Sequence, residues 1–169
     1  EIDTGDWSSD VCSSDLICSD NTEYQKCQMK LQLEKEKVFE QAARTMDSDK
    51  ILIVCDRGTL DNKAYMTEAD FSLVLNELGL NEVELRDGYD AVFHLVTAAK
   101  GAEKFYTTAN NTARTETVDE AVALDDELIA AWTGHSHLRI IDNSLGFEEK
   151  MKHLIAEIAN FLGEPDHMR

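Results

Sequence analysis

The chain has 169 residues, 43% of them hydrophobic, which is enough for one globular domain with a substantial core. Its 34 acidic and 16 basic residues give a formal charge of −18, a surface that repels nucleic-acid backbones and anionic lipid. The four cysteines show no CxxC spacing and no matching histidine pair, which argues against zinc, and no stretch approaches the roughly 18 apolar residues of a membrane span.

Asp6–Leu16 read DWSSDVCSSDL, a string that resembles one reading frame of a common sequencing-library adapter. Residues 1–16 are therefore expected to be a non-native tail, in which Trp7 and Cys12 carry no functional information. One domain is expected over residues 17–165, followed by a short tail at 166–169. The cysteine usage fits a reduced compartment, so a cytoplasmic location is expected.

From Tyr24 to about Met46 the pattern is helical, with Leu31, Val38, Ala42 and Met46 as its apolar positions. The run EKEK at Glu34–Lys37 reads as a solvated helix face. After a turn at 47–50, Ile51–Cys55 (ILIVC) reads as a fully buried strand, with Cys55 as a small core residue. Glu68–Leu78 is a second helix, closed by Gly79. Asp90–Ala98 reads as another buried strand, in which His94 is a satisfied core histidine. Thr117–Trp132 is an amphipathic helix running out at Gly134, with Trp132 packing at its end. Leu138–Ile141 is a third strand, and Phe147–Leu162 a last helix closed by Gly163. Strands and helices alternating at this spacing predict an α/β fold with a parallel sheet.

The sharpest chemical signal is Cys55-Asp56-Arg57-Gly58, at the carboxyl end of the first predicted strand. Open α/β sheets bind ligands at that end, where Asp56 can hold Mg²⁺ and Arg57 can face phosphate. Arg114 lies in the polar stretch YTTANNTARTE, placed to neutralise charge on a transferred phosphoryl group. Asn143 follows the last strand and could line a base pocket. The plainer readings are a turn-forming Asp56, an Arg114 paired locally near Glu116, and an Asx turn at Asn143. His135 and His137 lack a third ligand.

Together the stretches IVCDRGTLDNKAYM, VELRDGYDAVFHLVTAAKGAEKFYTT, NNTARTET, EAVALDDELIAAWTGHSHLRIIDN and FEEKMKHLI resemble the P-loop ATPase-like domain shared by nicotinamide-riboside-kinase-type proteins and the TRPL translocation defect proteins. The resemblance implies a three-layer P-loop NTPase-type parallel sheet flanked by helices. It implies Asp56 as the Walker B magnesium residue, Arg57 as its phosphate-side neighbour and Arg114 as a lid arginine. The ligand it implies is Mg²⁺ with ATP or GTP, in a parent that carries a C-terminal partner domain. One departure is large: no GxxxxGK[ST] occurs in the chain, so the P-loop and the first strand are expected to be missing and the fragment inactive. The expected function is purine nucleoside triphosphate binding in an ATPase- or GTPase-like regulatory protein. The alternative is a small-molecule kinase transferring a γ-phosphate to a nucleoside-like acceptor, with Asp61 as the base.

Overall fold

The computed structural model describes residues 21–48, 50–101 and 117–163. Its elements are α1 (Asn21–Ala43), a 3-10 helix (Thr59–Tyr65), α2 (Glu68–Leu78), α3 (Glu82–Asp87), β1 (Val92–Leu95), α4 (Val118–Trp132), β2 (Leu138–Ile141) and α5 (Phe147–Phe161). β1 and β2 pair in parallel, with Val92 opposite Leu138 and Leu95 opposite Ile141. With α4 between them in sequence they form a βαβ unit, the parallel arrangement that the alternation predicts.

Local chemistry sets the helix ends. Thr67 accepts from the Asp70 N–H at the start of α2, and Gly79 closes that helix at φ 65° in the left-handed region. α4 opens with a capping box, in which Thr117 and Glu120 satisfy each other's backbone N–H groups. Asn81 caps α3, a short helix that the sequence pattern does not announce.

Within the two-stranded sheet the side chains alternate between faces. Val92 and Leu138 pack against a core of Met29, Leu60, Phe71, Val74, Leu85 and Trp132. Burying each of the large members stabilises the fold by about 1.5–3 kcal/mol. Phe93 and Arg139, opposite one another, instead line a shallow cavity with Glu157, Asn160 and Phe161 of α5. The sheet thus carries α4 on one face and α5 on the other.

Three expectations are corrected. Ile51–Cys55 forms no strand and belongs to no ladder, and Leu52 and Val54 are 55% and 75% exposed rather than buried. Apolar content alone does not bury a segment; it needs a neighbour, and among the described residues no backbone hydrogen bond joins this run to another segment. The core strand at Asp90–Ala98 is shorter, Val92–Leu95, and only half-buried. On α1 the inward face carries Gln25, Met29 and Leu33, whereas Leu31 and Val38 are exposed.

Candidate functional site

The irregular run Ile51–Cys55 leads into a bend at Asp56 and Arg57. Arg57 sits at φ 70°, a left-handed conformation that a non-glycine side chain rarely adopts and that often marks a functional turn. Its guanidinium folds back, donating from Nη1 to the Tyr65 hydroxyl at 2.7 Å while lying 5.7 Å from that ring's centroid. The Arg57 carbonyl accepts from Gln32 on α1 at 3.1 Å. Asp56 beside it is exposed and makes no hydrogen bond to a described residue. Gly58 is the position where the turn presses against the core: a Cβ there would lie 2.5 Å from Cζ2 of Trp132.

Asp61, in the first turn of the 3-10 helix, accepts from the indole Nε1 of Trp132 at 2.6 Å. Burial pushes its carboxyl above the usual carboxylate range, against the opposing pull of Trp132 and Arg57. Tyr89 ties the same region together from below. Its hydroxyl accepts from the Thr59 N–H at 2.9 Å and donates to Glu36 at 2.7 Å, and its ring meets Trp132 edge-on at 5.2 Å. Glu36 is therefore a fixed acceptor on α1 that also holds the Cys55 thiol, and not part of a uniformly solvated EKEK face. Cys55 itself is half-buried, and that burial, with Glu36 close by, pushes its thiol up.

A second cluster lies beyond the carboxyl ends of β1 and β2. Asp125 of α4 is buried, yet it is satisfied on every side: by Lys100 Nζ at 2.8 Å, the Thr97 N–H at 2.9 Å and His94 Nε2 at 3.0 Å. Burial acts to raise its carboxyl, but Lys100 and these donors outweigh it and hold it below the ordinary range. Asn143 donates its amide N–H groups to the Thr97 and Lys100 carbonyls, both at 2.7 Å, and accepts from Lys150 Nζ at 2.7 Å. Lys150 also reaches the Val96 carbonyl at 2.7 Å, and burial lowers its ammonium pKa. The loop at 96–101 is thus held by α4 on one side and by α5 on the other.

The structure puts Asp56 and Arg57 in one bend with Asp61 close by, in the first turn of the following 3-10 helix, and places Asn143 in the second cluster, with its amide engaged by the protein. Arg114 lies outside the described residues. Sequence reading treats Trp132 as simple packing and Glu36 as part of a solvated face, and passes over Tyr89, Asp125 and Lys150. Asp125 had a legible signal: a carboxylate four residues after Ala121 and seven before Trp132, on the inward face of α4.

No group of three or more candidate metal ligands occurs among the described residues. A hydrated Mg²⁺ needs only one or two protein carboxylates, its other ligands being water and substrate phosphate. The free carboxylate of Asp56 fits that demand, whereas Asp61 is committed to Trp132. Among the described residues no helix is long and apolar enough to cross a membrane. A family model described as AAA domain matches residues 8–150. No curated protein and no solved structure matches the chain.

Proposed function

The chain belongs to the AAA domain family, and from that premise we propose that it is part of a purine nucleoside triphosphate site in an ATPase- or GTPase-like regulatory protein of the nicotinamide-riboside-kinase and TRPL type. The observation that carries this reading is the turn after Ile51–Cys55, where an exposed carboxylate at Asp56 precedes an arginine at φ 70°. In this reading Asp56 holds Mg²⁺, Arg57 turns from Tyr65 toward phosphate, and Arg114 neutralises charge at the γ-phosphate. The nucleotide-bound Mg²⁺ supplies charge neutralisation at the phosphates; the chain's own residues position it.

The phosphates also need a cradle of backbone amides and a lysine, and no GxxxxGK[ST] exists between residues 1 and 169. We take the exposed flank of Ile51–Val54 as the place where a further strand, carrying such a loop, pairs. Residues 1–16 remain in this proposal an adapter-like, non-native tail. Asp61 and Asn143 act through other groups: Asp61 fixes the turn through Trp132, and Asn143 fixes the loop at 96–101.

The test is a thermal-shift titration with Mg²⁺-ATP and Mg²⁺-GTP, on this chain and on a version extended upstream. Stabilisation follows RT ln(1 + [L]/Kd), so saturable binding is visible as a rising melting temperature. A shift confined to the extended version and abolished by Asp56→Ala supports the reading. An equal shift in this chain, insensitive to Asp56→Ala, places the phosphates elsewhere and overturns it.

A further inference from the structure

One face of α4 holds both polar clusters. Asp125 and Trp132 are both buried and seven residues apart, which puts them two turns from each other on the same side of that helix. Trp132 reaches Asp61 at 2.6 Å, and Asp125 reaches His94 of β1 at 3.0 Å. His94 stands two residues after Val92, so it shares the strand face that packs toward the core containing Trp132. The imidazole therefore serves two carboxylates: it bonds Asp125 directly and acts on Asp61 by its charge.

We propose that His94 is a positioning residue for the bend at Asp56 and Arg57, acting through Asp61. Fixed by Asp125, its imidazole favours the ionised form of Asp61, the form that accepts from the Trp132 indole and the Gly58 N–H and attracts the Arg57 guanidinium. Burial is the largest influence on Asp61 and disfavours its charge, so the bend depends on the groups that oppose burial: Trp132, Arg57, the Gly58 N–H and His94. Of these only Arg57 and His94 bring charge, and the Arg57 guanidinium is already engaged by the Tyr65 hydroxyl at 2.7 Å. His94 in its turn faces a carboxylate whose other oxygen is taken by Lys100 at 2.8 Å, and Lys100 also bonds the exposed Asp126 at 2.6 Å. What the bend does with phosphate rests on the nucleotide reading; its positioning by His94 does not.

The experiment follows two NMR signals of the full chain through an acid titration without nucleotide. One is the Trp132 indole N–H, assigned against Trp7→Phe; the other is the pair of His94 imidazole nitrogens, assigned by through-bond correlation. The indole signal is expected to move as Asp61 takes up its proton, and the His94 nitrogens to record a step at the same midpoint. Asp61→Asn should remove that step from both. His94→Gln keeps an amide donor for Asp125 but carries no charge, whereas histidines are charged across the acid range in which carboxyls titrate. The Trp132 midpoint should therefore rise by about half a pH unit in His94→Gln. The His94 step is read on the parent chain, so it decides the matter even where His94→Gln fails to fold. Imidazole nitrogens with no step at the Asp61 midpoint overturn the proposal. So does a step that survives Asp61→Asn, and so does a Trp132 midpoint that stays put in His94→Gln. None of these readouts uses nucleotide, so failure of the nucleotide reading leaves them unchanged.

Discussion

The Trp132 indole N–H donates to Asp61 across 2.6 Å, and this one bond joins the end of α4 to the turn that displays Asp56 and Arg57. The indole is 4% exposed, so its N–H has little water to fall back on when Asp61 is altered.

Asp61→Ala is therefore expected to cost about 1–3 kcal/mol, the penalty of an unsatisfied buried donor. Asp61→Asn keeps an acceptor and should cost less. The pH dependence separates the two effects. The folded-state value of Asp61 lies above its unfolded one, so its contribution is full below about pH 4 and is lost as pH rises through the folded value. The asparagine variant should thus gain on the parent between acid and neutral pH, measured by urea unfolding.

Gly58→Ala should destabilise by about 1–3 kcal/mol, because the added methyl meets the Trp132 ring at 2.5 Å. Gly58 has φ −115°, which any residue adopts, so the cost is one of packing alone. A shifted tryptophan emission together with a lower urea midpoint checks this.

Asp125 carries the opposite pH signature. Its folded value lies below the ordinary range, so its contribution is present above about pH 4 and disappears as pH falls through the folded value. Asp125→Ala should cost about 3 kcal/mol at neutral pH, since it strands the Thr97 N–H and leaves Lys100 with only the exposed Asp126. Acid titrations monitored by circular dichroism should show the parent losing stability at low pH more steeply than the variant.

Tyr89→Phe removes the hydroxyl shared by Glu36 and the Thr59 N–H, at an expected cost of about 1–2 kcal/mol. Asp56→Ala, at an exposed carboxylate without a described hydrogen bond, should change stability by less than about 0.5 kcal/mol. The contrast between the two, read from urea midpoints, separates a residue that holds the turn from one that the turn displays.

The sequence was most informative where structure is local. α2 with its Gly79 cap, and β2 at Leu138–Ile141, follow from periodicity and capping chemistry that operate within a few residues. Ile51–Cys55 was misjudged because burial is not a local property: the same five residues are a core strand or an open edge depending on what lies beside them. The site divides in the same way. Asp56 and Arg57 stand out as a motif at the end of an apolar run. Glu36, by contrast, looks like one charge among several in EKEK, and its part depends on Tyr89, 53 residues away. The partners of Asn143 lie 43 and 46 residues upstream, beyond the reach of any spacing rule.

The β1–β2 ladder has a temporal consequence. Val92 pairs with Leu138, so β1 cannot find its partner until the intervening residues, α4 among them, have been synthesised. At ribosomal speeds of about 5–20 residues per second, β1 waits roughly 2–9 s with both edges open. The charges at 119, 120, 125, 126 and 127 emerge during that wait, every one of them acidic. The capping box at Thr117 lets α4 begin to wind in the same interval, and its Asp125 can then find His94 before β2 arrives. The nascent chain is thus supplied with a provisional partner for β1 in the form of a helix, and chaperone binding to β1 should decline when α4 emerges rather than when β2 does.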